Sequence, residues 1–163
     1  GVTRQHLRWP AALALLALLM APPAIDRVAA QRPSDAEAAA AAHAALSPAE
    51  WDAIQKTIGE QLEALRAGDA TRAYTFASAG IQAQFRDPPT FLRMVQDSYA
   101  PLLDARHAEF LEGAVIDGRT IQPLRLVMSD ETLLVALYEM QRDGGGRWRI
   151  AGCLLAPSTL RST

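Results

Sequence analysis

Tyr138, Gln122, Tyr74 and Tyr99 carry most of the chemistry that this sequence could do. Tyr138 and Gln122 have the same parity in two stretches that alternate in polarity, so strands would put both on one face. Two tyrosine hydroxyls and an amide can orient a carbonyl ligand by hydrogen bonds. Tyr74 and Tyr99 would reach the same space from helices. No general base accompanies them, and proton abstraction needs an Asp, Glu or His within reach. The same residues also describe core tyrosines with satisfied hydroxyls, and that plainer reading carries more weight.

Other constellations are thinner. His107 and Glu109 lie two apart, which on a strand gives them a common face and the makings of a dyad. A solvated strand edge has the same spacing. His6 and His43 fall in other parts of the chain, so no two histidines share an element and a zinc site is unsupported. Glu139 and Arg149 are expected opposite each other on adjacent strands, as a structural pair. Cys153 is the single cysteine, which excludes an internal disulfide. Its place within a strand reads as a small core residue. No cofactor or metal is expected.

The balance of charge narrows the partners. The chain has 163 residues, 16 Lys+Arg against 18 Asp+Glu and a net charge of -2. That lacks the basic footprint of a nucleic-acid binder. It also gives no reason to expect an anionic membrane surface. Half of the residues are hydrophobic, enough for a true core.

The elements that would position these side chains begin after a leader. Arg4 and Arg8 precede the apolar run Ala11–Met20, and Val28-Ala29-Ala30 fits a small-x-small cleavage site. A spanning helix needs about 20 apolar residues, and Pro22-Pro23 ends this run sooner. Residues 1–30 are therefore expected to be a signal peptide cleaved near Ala30. The mature protein would be periplasmic or secreted, with no membrane contact after cleavage. Residues 31–46 are Ala-rich without an apolar stripe, and read as a linker.

Residues 47–157 read as one domain, with 158–163 as a tail. Ser47-Pro48-Ala49-Glu50 places an N-cap, a first-turn proline and a capping-box glutamate in order. Trp51, Ile54, Ile58, Leu62 and Leu65 follow at helical spacing. Asp69 caps a second helix, which ends at Ser78-Ala79-Gly80. Ile81 and Phe85 lie in a connection, and Asp87-Pro88-Pro89-Thr90 opens a third helix that Tyr99-Ala100-Pro101 closes. From His107 the period becomes two. Four strands are expected, at roughly 106–116, 119–128, 132–142 and 146–156, with hairpin signals at Asp117-Gly118 and Gly144-Gly145-Gly146.

Strict parity assigns two faces. Leu124, Leu126, Met128, Leu134, Ala136, Tyr138, Met140, Trp148, Ile150 and Leu154 form the better core and should receive the helices. Arg125, Val127, Leu133, Val135, Leu137, Glu139, Arg149, Cys153 and Leu155 form the other. That second face is more apolar than a wet sheet face should be. A homodimer through it would bury the excess and shield Cys153.

Three helices and a four-stranded antiparallel sheet make an α+β fold, and the order resembles the nuclear-transport-factor-two-like superfamily. The run Gly68-Asp69-Ala70-Thr71-Arg72-Ala73-Tyr74-Thr75-Phe76-Ala77-Ser78-Ala79-Gly80-Ile81, then Phe91-Leu92-Arg93-Met94-Val95, Tyr99-Ala100-Pro101, Tyr138 and Trp148-Arg149-Ile150-Ala151-Gly152, is similar to a bacterial domain-of-unknown-function family (number 4864) of small exported proteins. The likeness covers about residues 52 to 157. The superfamily implies a curved, cone-shaped domain with a ligand cavity between helices and sheet. In that cavity the resemblance would place Tyr74, Tyr99, Gln122, Tyr138 and Trp148. The family supplies no catalytic residue. The expected function is to bind a small apolar or amphipathic ligand or a protein partner, more in keeping with a non-enzyme. The alternative is an isomerase, dehydratase or hydrolase using the same cavity, since a fold hosts many functions.

Overall fold

The structure is a computed structural model, and it describes Ser34 and residues 45–158. The expected signal peptide, most of the linker and nearly all of the tail lie outside the described residues.

Helix α1 spans Pro48–Arg66 and starts as its sequence dictates. Ser47 Oγ accepts from the Glu50 N–H at 3.2 Å, and Glu50 Oε2 accepts from the Ser47 N–H at 3.1 Å. These bonds satisfy two groups that the first turn leaves without partners. Ile54, Ile58, Leu62 and Leu65 form the buried stripe. Gly68, at φ 69°, then turns the chain in a left-handed conformation that favours glycine. Asp69 accepts from the Arg72 N–H at 3.1 Å and opens α2, Ala70–Thr75.

Two helices appear where connections or stops were expected. Residues Ala79–Phe85 form α3, because Ser78 Oγ caps the Ile81 N–H at 3.3 Å. Asp87 caps α4, Pro88–Ser98. The chain does break at Tyr99, but Pro101 then sits in the first turn of α5, Ala100–Asp104. A first-turn proline sacrifices no helical hydrogen bond.

The sheet is antiparallel, with β1 His107–Phe110, β2 Ala114–Ile116, β3 Arg119–Val127, β4 Leu133–Arg142 and β5 Trp148–Pro157. The order is β1-β3-β4-β5, and β2 also pairs with β3. The architecture is thus α+β, but the expected strand over 106–116 is broken in two. The break is at Gly113, where a Cβ would collide with the Trp51 ring of α1. Pro123 falls in the part of β3 that this break leaves without a strand partner on one side. A proline can occupy mid-strand there because it lacks the N–H that a ladder would need.

A β-bulge in β5 decides which residues face the helices. Met140 pairs with Ile150 but Glu139 pairs with Gly152, so Ala151 is the extra residue. Strict alternation therefore fails beyond Ile150. Cys153 and Leu155 face the helices, and Leu154 points outward, 45% exposed. The parity expectation for these three residues is overturned, whereas Leu124, Leu126, Ala136, Tyr138, Met140 and Ile150 are core as expected. The shielding of Cys153 is done by the core itself. At the bulge the free edge of β5 is covered by the α2–α3 connection: Ser78 donates to Ile150 O at 2.9 Å, and Ile150 N donates to Phe76 O at 2.8 Å.

Candidate functional site

The row Gln122–Tyr138–Cys153 crosses β3, β4 and β5 on the helix-bearing face. All three residues are buried, and Gln122 is fully so. The Gln122 amide closes the gap left by the broken edge strand. Its Nε2 donates to Leu111 O at 2.7 Å and to Pro123 O at 2.9 Å, and its Oε1 accepts from Gln55 Nε2 at 3.3 Å. Both amide hydrogens are thus committed to backbone. Gln122 is part of the site's wall rather than a spare donor.

Tyr99 reaches the same row from the α4–α5 corner, and its hydroxyl donates to Cys153 O at 3.1 Å. Tyr138 differs from its neighbours. It is 1% exposed, and its hydroxyl has no hydrogen-bond partner among the described residues. Burial pushes the Tyr138 phenol well above its usual ionisation range, the adjoining Cys153 adds to this, and Arg66 works against it. Burial likewise pushes the Cys153 thiol up. Both groups are therefore neutral at physiological pH, in an environment that disfavours charge.

The other two candidates lie elsewhere. Tyr74, on α2, donates its hydroxyl to Gln82 O, and its ring leans on Phe91 at 5.7 Å between centroids. It ties α2 to α3 and α4. Trp148 faces the helices but sits at the rim, half-buried, with the Arg142 guanidinium 4.7 Å from its ring centroid. Arg142 also pairs with Glu50, so the β4–β5 hairpin is fastened to the start of α1.

The charged constellations resolve into structural pairs. Glu109 and His107 are exposed on β1, and Glu109 pairs with Arg125 directly opposite on β3. Glu139 does not meet Arg149, because the hairpin register sets Arg149 opposite Gln141. Glu139 takes Arg119 in a two-pronged contact at 2.5 and 3.0 Å. Arg149 takes Asp143 Oδ2 at 3.0 Å and Thr75 O at 2.7 Å. Among the described residues no three His, Cys, Asp or Glu side chains group as a metal site would need. Among them too, no helix is long and apolar enough to cross a membrane.

The partner that periodicity missed is Cys153, because a bulge reverses facing without leaving a hydrophobic signature. The glycine next to the extra residue, Gly152, was the available signal, since a glycine inside a strand often marks a bulge.

These features define an α+β domain whose helices cover one face of an open antiparallel sheet, with a buried row of polar side chains beneath them. The chain belongs to the family described as a domain of unknown function (DUF4864), which it matches over residues 48–163. No curated protein and no solved structure gave a significant match.

Proposed function

We propose that this chain is an exported, cone-shaped domain of the nuclear-transport-factor-two-like kind. In this reading it binds a small, uncharged, largely apolar ligand on the helix-bearing face of the sheet, at Tyr138. The observation that carries the reading is the Tyr138 hydroxyl, deeply buried and without a hydrogen-bond partner among the described residues. Leaving such a group unsatisfied costs about 1–3 kcal/mol, and a ligand carbonyl or ether oxygen would remove that cost. The cone reading is supported by the long α1 packed with the sheet's inner face, and export by the leader's residue pattern.

The chemistry of the site selects the ligand class. The surroundings of Tyr138 and Cys153 disfavour charge on either group, and would disfavour an ionised ligand equally. One donor in an apolar setting fixes orientation, while area supplies affinity. The enzymatic alternative has no general base assigned to it. The one dyad considered, His107 and Glu109, is exposed on β1, with Glu109 held by Arg125.

Native mass spectrometry of protein purified from its own cells tests the reading. A retained neutral compound of small mass is expected. A protein that carries none, and gains no stability from neutral carbonyl compounds, contradicts it.

A further inference from the structure

We infer that the short helix α5, Ala100–Asp104, is a lid over the Tyr138 row, and that Arg66 latches it through the Leu102 carbonyl. This rests on the ligand reading of Tyr138 and says how that site is reached. Gln122, Tyr138, Cys153 and Tyr99 are all buried. A ligand therefore meets the Tyr138 hydroxyl only after one wall has moved.

The walls differ in what holds them. β3, β4 and β5 are paired along their lengths, so the floor is fixed. α1 lays its buried stripe down over 19 residues. α5 has five residues, too few to be stable as a helix on its own. It packs mainly on α1 and α4 and not on the strands. Non-helical residues bound it on both sides, Tyr99 at φ -128°, ψ 30° and Ala105 at φ -59°, ψ 131°. Joints of this kind let a short element swing on a few backbone torsions.

Two contacts hold the lid down, one from each side. Inside, the Tyr99 hydroxyl donates to Cys153 O at 3.1 Å, and Cys153 stands directly opposite Tyr138. Outside, Arg66 at the end of α1 donates from Nε and Nη2 to Leu102 O at 3.3 and 3.1 Å. That carbonyl lies in the last turn of α5, where the helix itself supplies no donor. The guanidinium makes a charge-assisted contact there, at the negative end of the helix dipole. Its charge also acts on the Tyr138 phenol, so latch and hydroxyl lie near one another. Arg66 is exposed, and the latch can be released without disturbing the core. When α5 lifts, Tyr99 is drawn off Cys153 O, and Tyr138 and Cys153 are uncovered together.

The test uses ligand-free protein, so its result is separate from whether a compound is retained. Amide hydrogen exchange and N-ethylmaleimide labelling of Cys153 are measured for the parent, Arg66→Ala, Arg66→Lys and Arg72→Ala. N-ethylmaleimide is itself small, neutral and carbonyl-bearing, so its entry reports an opening of the size that the ligand needs. In Arg66→Ala the amides of Leu102 and Ala105 should exchange about tenfold faster, the measure of one charge-assisted hydrogen bond lost. Cys153 should label faster by about the same factor, while the β4 amides keep the parent's rates. Arg66→Lys keeps the charge without the two-pronged contact and should fall between. Arg72→Ala, which removes an exposed arginine paired with Glu63 at 3.6 Å, should match the parent. Unchanged α5 exchange or unchanged labelling in Arg66→Ala would overturn the inference. So would acceleration shared equally by β4, or an equal effect of Arg72→Ala, since either would make Arg66 a support of the whole fold.

Discussion

Tyr138 stands directly opposite Cys153 across β4 and β5, on the face that the helices cover. The pairing exists because the β5 bulge at Ala151 turns Cys153 inward. It brings a phenol and a thiol together where burial raises both ionisation ranges. Low dielectric stabilises the neutral form of each.

Cys153 should accordingly be inert toward thiol reagents in the folded protein and reactive once it is unfolded. Stability should also fall in alkali. The folded thiol holds its proton more tightly than the unfolded one, so its contribution is complete below the unfolded value and shrinks as pH rises past it. Above about pH 8.5 the slope approaches about 1.4 kcal/mol per pH unit. Urea titrations at several pH values read this slope, and Cys153→Ala should flatten it.

The Trp51–Gly113 contact predicts a coupled pair. Gly113→Ala drives a methyl group into the indole and should cost about 1–3 kcal/mol, the usual penalty of overpacking. In a Trp51→Ala background the same change should cost much less. A double-mutant cycle with no coupling between the two positions would contradict the contact.

Gln122→Leu should destabilise by about 1–3 kcal/mol, because the Leu111 and Pro123 carbonyls lose a buried donor. The effect should be local. Hydrogen exchange should speed at the β1–β2 junction more than in the β4–β5 hairpin.

Trp148→Ala should cost about 1–3 kcal/mol, below the 3–5 kcal/mol of a fully enclosed aromatic, since the ring is half-buried at the rim with Arg142 over it. Arg142→Ala should remove a smaller part of the same contribution. Thermal denaturation distinguishes the two.

Much of this architecture was legible because local rules and packing agree. Ser47-Pro48-Ala49-Glu50 reads as a helix start and is one, and Asp117-Gly118 reads as a hairpin turn and takes positive φ at both residues. The core parity of β3 and β4 follows from plain alternation. What alternation could not show was a one-residue insertion in pairing, and so Cys153, Leu154 and Leu155 exchange faces. Nor could it show that the Gln122 amide would be spent on a gap in the neighbouring strand. That gap arises from the contact of Trp51 with Gly113, residues far apart in sequence. Tyr74 and Tyr99 were recognisable as core-side tyrosines with satisfied hydroxyls, but their acceptors, Gln82 O and Cys153 O, depend on how helices meet, which no periodicity encodes.

Among the described residues the buried Tyr138 hydroxyl has no hydrogen-bond partner, and the central claim rests there. The direct measurement compares the parent with Tyr138→Phe by native mass spectrometry, alongside thermal denaturation of each after ligand removal. The account predicts that Tyr138→Phe retains far less of the neutral compound while the stripped protein is as stable as the parent or slightly more so, because the hydroxyl removed has no hydrogen-bond partner among the described residues. Undiminished retention, or a stripped Tyr138→Phe protein that is clearly less stable, would contradict it and return Tyr138 to the core.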